Sequence, residues 1–126
     1  MKKYRILVVD DEPINLELIS SFLKDNYEVV TVDNGEAAIK IVSQSPGEID
    51  VIVLDVNMPV KNGFEVCQEL IDAHPNHRMN SKIMFFTAQE AHVREKSREF
   101  GCSYLMKPGS KDNLLGAIER ILQVLN

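Results

Sequence analysis

The chain reads as an open α/β sheet of five parallel strands with helices on both faces, and three observations carry that expectation. Short apolar segments rich in β-branched residues alternate with stretches of helical period along all 126 residues, the pattern of repeated strand–helix units. The third apolar segment, Ile49 to Leu54, is broken only by Asp50, as expected of a strand covered by helices on both sides. Polar residues capable of chemistry follow nearly every apolar segment: acids after the first and third, Thr87 after the fourth, Lys107 after the fifth. In doubly wound sheets ligands gather at that carboxyl end.

Each element follows from its residues. Arg5 to Val9 is a short strand that stops at Asp10-Asp11-Glu12-Pro13, where an acid is expected to cap a helix and Pro13 to occupy its first turn. From Ile14 to Lys24, Ile14, Leu18, Phe22 and Leu16, Ile19, Leu23 recur at a spacing that predicts one broad buried face, with Asn26 ending the helix. Tyr27 to Val32 is the second strand, and Asp33-Asn34-Gly35 turns into a helix over 36–43 with Ala37, Ala38, Ile41 and Val42 inward. Ser45-Pro46-Gly47 is a loop before the third strand. Asn62-Gly63 opens a helix whose Phe64, Cys67, Leu70 and Ile71 share a side, and a polar loop, 74–81, leads to a fourth strand over Lys82 to Phe86. A charged helix is expected over 89–99 with Ala88, Ala91 and Val93 as its sparse apolar positions. Ser103 to Met106 is a brief fifth strand, and Leu114, Leu115, Ile118, Ile121, Leu122 and Leu125 mark a strongly apolar last helix running to Asn126.

Composition narrows the function. A formal charge of -5 repels a phosphate backbone, and the only basic cluster is the short group Lys2, Lys3, Arg5, so direct nucleic-acid binding is not expected. Ile6 to Val9 is too short for a signal peptide, and nothing approaches the ~20 apolar residues of a membrane span. Trp is absent and aromatics are 6%, leaving little material for a stacking platform. Cys67 and Cys102 read as reduced, buried thiols rather than a disulfide framework. His74 and His77 sit in a loop without acid or thiol partners, which argues against a transition-metal site, and His92 reads as solvated.

The chemistry depends on topology. With strand order 2-1-3-4-5, strands one and three adjoin at the switch point, bringing Asp10, Asp11 and Asp55 together. Three carboxylates in one crevice repel, and Mg²⁺ relieves that by taking carboxylate, water and phosphate oxygens. A carboxylate can attack phosphorus to give an acyl phosphate while a metal, an ammonium and a hydroxyl neutralise the equatorial oxygens. Asp55, at the end of the central strand, is the best nucleophile. Asp10 and Asp11 suit metal binding, and Lys107 suits a phosphate countercharge. Taken singly these residues have blander readings: Asp11 as a helix cap, Asp55 as a turn acid, Thr87 as a capping hydroxyl, Lys107 as a solvated cation and Tyr104 as an edge-strand core residue. Their placement at successive strand ends favours the functional one.

These residues resemble the receiver domains of two-component response regulators along essentially the whole chain. The resemblance rests on Val9-Asp10-Asp11-Glu12, Leu54-Asp55-Val56-Asn57-Met58-Pro59, Asn62-Gly63, Phe86-Thr87-Ala88 and Tyr104-Leu105-Met106-Lys107-Pro108, in this order. It implies a flavodoxin-like fold forming one receiver domain over 1–126. It also implies a signalling switch that catalyses phosphotransfer to itself from a histidine kinase or histidine phosphotransfer protein and later its own dephosphorylation. Mg²⁺ would be held by Asp10, Asp11, phosphorylated Asp55 and the carbonyl of Asn57. Thr87 and Lys107 are similar to the family's phosphate-sensing hydroxyl and amine, Tyr104 to its burial-switching aromatic, and the bond before Pro108 to one that is cis. The downstream partner or output domain would meet the face of the fourth helix, fifth strand and fifth helix, in the cytoplasm. Three departures stand out: Gly109 where a bulky apolar residue is common, which predicts a more mobile loop; Asn62 where an acid is frequent; and Cys102 where Ala is frequent. A phosphorylation-independent scaffold is disfavoured by the intact acid, hydroxyl and amine set. A flavodoxin-like electron carrier is disfavoured by acids in the first turn, where an anionic cofactor wants donors. A haloacid-dehalogenase-like phosphatase is disfavoured because Asn57 stands where a second catalytic acid would be.

Overall fold

The computed structural model describes residues 3–88 and 92–125. The strands are β1 (Arg5–Val9), β2 (Glu28–Val32), β3 (Val51–Leu54), β4 (Ile83–Thr87) and β5 (Ser103–Met106). The principal helices are α1 (Pro13–Leu23), α2 (Gly35–Gln44), α3 (Gly63–Ala73), α4 (Val93–Phe100) and α5 (Lys111–Leu125), and Met79–Lys82 adds a single helical turn. All strand pairs are parallel, in the order β2-β1-β3-β4-β5. The expected doubly wound sheet is therefore the one observed.

Alternation along the central strands divides the core. Leu7 and Val9 of β1 and Ile52 and Leu54 of β3 face the side covered by α2 and α3, where they meet Ala38, Val42, Val66 and Leu70. Ile6, Val8, Val51 and Val53 face the other side and pack with Ile19 and Leu23 of α1 and Leu114 and Ile118 of α5. Successive side chains of a strand point to opposite faces, so a central strand needs apolar residues at every position. All four residues of β3 are buried.

Several local expectations give way. Ile14 and Leu18 do not join a broad buried face of α1: they are 77% and 50% exposed, and only Ile19 and Leu23 are buried. Helical period identifies a stripe but not how much of it a neighbouring helix covers. No acid side chain caps α1. Pro13 takes the first helical position as expected, Glu12 is the cap residue without a side-chain bond, and the Glu12 N–H donates to Asp10 Oδ1 at 2.9 Å. The helix closes at Leu23, short of Asn26. Ile49 and Asp50 precede β3 instead of belonging to it, although Asp50 stays tied to Arg5: its N–H donates to Arg5 O at 2.9 Å, and its Oδ2 accepts from Arg5 N–H at 2.8 Å where a ladder carbonyl would otherwise accept. Lys82 ends the helical turn inside the stretch expected to be loop, and β4 begins at Ile83. Of the charged helix, Val93–Phe100 is observed; residues 89–91, Ala91 among them, and Asn126 lie outside the described residues.

Candidate functional site

The crevice lies where the chain leaves β1 and β3. These strands run in register, Val9 opposite Leu54, and the Asp55 N–H donates to Val9 O at 2.9 Å. The next residues, Asp10 and Asp55, thus leave the sheet side by side. Gly63 fixes how the chain returns. Its N–H donates to Val56 O at 2.9 Å, and a Cβ there would stand 2.4 Å from Asp55 O and 2.8 Å from Val56 Cα. Only glycine lets α3 approach the Asp55 backbone so closely. Asn62 then caps α3 in a reciprocal capping box with Glu65, its Oδ1 accepting from Glu65 N–H at 2.9 Å and its own N–H donating to Glu65 Oε1 at 3.0 Å. Asparagine at this position therefore serves helix initiation.

Asp10, Asp11 and Asp55 each offer a carboxylate oxygen, all within 4.8 Å of one another. Asp10 and Asp55 are buried and Asp11 is half-buried. Lys107 joins them from the end of β5, where its N–H donates to Thr87 O at 2.9 Å. Its Nζ donates to Asp10 Oδ2 at 2.6 Å and lies 3.7 Å from Asp55 Oδ1, with the Phe86 ring centroid 5.5 Å away. The primary partner of Lys107 is therefore Asp10. Burial pushes the Asp55 carboxyl above the usual carboxylate range, and the nearby Asp10 and Asp11 charges add to this. Lys107 and a hydrogen bond from the Asn57 backbone act in the opposite direction without cancelling it.

Thr87 is buried at the end of β4 and, with Asp55, Asn57 and Lys107, lines a cavity of about 170 Å³. Glu12 and Asn15 line the same cavity, and Asn15 Nδ2 donates to Asp10 Oδ2 at 3.4 Å. Sequence reading missed both; the first turn of a helix that follows an acidic loop was the available signal. Tyr104 stands outside the crevice. It pairs with Phe85 two residues before Thr87, is 37% exposed, and its hydroxyl accepts from Arg94 Nε at 3.2 Å. The Lys107–Pro108 bond is cis. At Gly109 a Cβ would come within 2.9 Å of the Phe86 ring, so a bulky residue would require Phe86 to move.

Three oxygen-donor acids in one partly closed crevice, with the Lys107 ammonium beside them, can hold a divalent cation. Among the described residues no helix is long and apolar enough to cross a membrane. A family model described as "Response regulator receiver domain" matches residues 6–119. Over 112 residues the chain is 36% identical to the signal transduction histidine-protein kinase BarA of Escherichia coli, covering 86% of this chain and 12% of that one. It is also 36% identical over 118 residues to a protein-glutamate methylesterase/protein-glutamine glutaminase of Rhodospirillum centenum, covering 90% of this chain and 29% of that one. The chain thus spans less than a third of either relative. Among solved structures it superposes on TrrA of Thermotoga maritima in complex with Mg²⁺-BeF, at TM-score 0.81 and 33% identity, covering 94% of this chain and 99% of that one. It also superposes on the chemotaxis protein CheY4 of Vibrio cholerae, at TM-score 0.85 and 28% identity, covering 96% and 100%.

Proposed function

The chain belongs to the response regulator receiver domain family, and from that premise we propose that Asp55 accepts a phosphoryl group from a phosphohistidine donor in a Mg²⁺-dependent reaction. The observation that carries the proposal is the burial of Asp55 against Asp10 and Asp11 with Lys107 Nζ 3.7 Å away. An Asp55 oxygen forms the new bond to phosphorus as the phosphorus–nitrogen bond breaks, and the imidazole leaves with the electron pair and is protonated by solvent. Lys107 and the Thr87 hydroxyl, which line the same cavity as Asp55, stabilise the equatorial oxygens. Asp10, Asp11, Asp55 and the Asn57 carbonyl would hold Mg²⁺, which when bound adds positive charge beside those oxygens. In dephosphorylation, water attacks phosphorus and Asp55 is released as a carboxylate.

The same reading makes Thr87 and Tyr104 a coupled pair. A phosphoryl group on Asp55 draws the Thr87 hydroxyl toward the crevice, and the vacated space admits the Tyr104 ring, freeing it from Arg94. A single hydrogen bond contributes about 0.5–1.5 kcal/mol net, enough to bias an existing equilibrium but not to create a new fold. The donor would be a histidine kinase or histidine phosphotransfer protein in the cytoplasm, and a downstream protein or output domain would read the α4, β5 and α5 face. Supporting this, a similar segment lies within a histidine-protein kinase.

The test is intact-mass analysis after incubation with a small phosphoramidate, with and without Mg²⁺, followed by peptide mapping. We expect one hydroxylamine-sensitive adduct on Asp55 that requires Mg²⁺ and is absent from Asp55→Ala. Adduct on another residue, or unchanged labelling of Asp55→Ala, rejects the assignment.

A further inference from the structure

Between α3 and the start of β5 lies a pair of thiols that the phosphoryl site does not use. Cys67 sits on the inner side of α3, fully buried, and Cys102 is half-buried between α4 and β5; both are free. Their Sγ atoms are 3.5 Å apart across a sequence separation of 35 residues. A disulfide needs about 2.05 Å, so closing the pair asks the sulfurs to approach by about 1.5 Å. The main chain on the Cys102 side is anchored: Gly101 takes a left-handed conformation to end α4, and the Cys102 N–H donates to Ser97 O at 2.9 Å. The neighbourhood is apolar, with Phe64, Phe85 and Phe100 in one aromatic cluster.

The two thiols differ in what can reach them. Cys102 lines a surface hollow together with Gly101, Ser103, Tyr104 and Arg120, which gives a small reagent a way in. Cys67 has no such opening, and its hydrogen bond with Cys102, together with burial, pushes its thiol pKa up and keeps it protonated.

We propose that Cys67 and Cys102 form a dithiol modification site that closes to an intramolecular disulfide when the protein meets a small organic disulfide. The Cys102 thiolate attacks one sulfur of the reagent, giving a mixed disulfide and releasing one small thiolate. The Cys67 sulfur then attacks Cys102, its proton passing to the second small thiolate as that group leaves. Two thiols are oxidised and one reagent disulfide is reduced to two thiols. In a reducing compartment the pair stays open, and its closure reports oxidant. The cross-link fastens β5, which bears Tyr104 and leads to Lys107, to α3, which follows the Asp55 loop.

Thiol–disulfide equilibrium against reduced and oxidised glutathione, read by intact mass after acid quench, tests the proposal on the unaltered protein. We expect the folded chain to end as a monomer lacking two hydrogen masses. We expect an equilibrium constant for this closure more than about tenfold larger than in the urea-unfolded chain, because the fold already holds the sulfurs together. Cys67→Ala should stop at a glutathione adduct on Cys102, and Cys102→Ala should take none. Hydrogen exchange of the Ser103–Met106 amides should slow on oxidation. The proposal is overturned if the folded protein stays dithiol, stops at the mixed disulfide, or closes no more favourably than the unfolded chain. Unchanged exchange over Ser103–Met106 would remove the fastening of β5.

Discussion

The two ends of the sheet hold charges in opposite ways. At the amino end, Arg5 meets Glu28 at 2.7 Å and Glu48 at 3.3 Å, but its side chain is 34% exposed and those of Glu28 and Glu48 are 52% and 61% exposed. Water already solvates each partner, so those pairs are individually weak. At the carboxyl end, the side chains of Asp10 and Asp55 are 2% and 8% exposed, and among the described residues Lys107 is the one ammonium paired with both, while Asp11 adds a third carboxylate. The difference teaches that number of charges is a poor guide to function. What marks the crevice is an excess of one sign held out of water, which only a ligand of the other sign relieves.

The largest effect should come from disturbing the backbone that builds this crevice. Gly63→Ala places a Cβ against Asp55 O and Val56 Cα, atoms that cannot step aside. We expect about 3 kcal/mol of lost stability in urea unfolding, together with loss of phosphoryl uptake. A fully stable Gly63→Ala would mean that α3 does not hold the Asp55 loop.

The second effect has the opposite sign. Because the folded-state pKa of Asp55 is raised above its ordinary value, the ionised carboxylate costs stability at neutral pH. That cost vanishes as pH falls and Asp55 becomes protonated. Asp55→Asn should therefore raise the unfolding midpoint at pH 7 by a few degrees, on the order of 1 kcal/mol, and the advantage should shrink toward acid pH. Phosphoryl uptake by the wild type should fall over the same acid range, since only the carboxylate is nucleophilic. A destabilised Asp55→Asn at pH 7 would show that Lys107 and the Asn57 backbone outweigh burial.

Much of this crevice was legible in the sequence because it follows from topology. The apolar run ending at Leu54, broken only by Asp50, marks a central strand, and a central strand beside β1 puts Asp55 next to Asp10. What was not legible depends on how far one surface covers another. The period of α1 does not reveal that Ile14 and Leu18 remain in solvent, because that depends on where α5 crosses it. Nor does spacing tell that Lys107 pairs first with Asp10 and only second with Asp55, a matter of a 2.6 Å against a 3.7 Å contact. The left-handed backbone at Val60 and Arg78 falls on residue types that ordinarily avoid it.

Smaller effects separate the crevice from its surroundings. Thr87→Ala should still be phosphorylated on Asp55, while the phosphorylation-linked change in the Tyr104 ring environment, followed by NMR, shrinks by an amount worth about 1 kcal/mol. Identical Tyr104 shifts in free and phosphorylated wild type would remove the coupling. Smallest of all, Arg5→Gln should leave phosphoryl uptake unchanged and the urea midpoint nearly so. A large loss would show that the amino end is as dependent on its charges as the carboxyl end.

The measurement closest to the central claim is urea unfolding as a function of Mg²⁺, for the wild type and for the double variant Asp10→Asn, Asp11→Asn. Relief of buried like charge by a cation requires the wild type to gain about 1.4 kcal/mol at a tenfold excess of Mg²⁺ over its Kd. The variant, already relieved of two carboxylates, should not respond to Mg²⁺. A wild type indifferent to Mg²⁺, or a variant that gains as much as the wild type, would contradict the account.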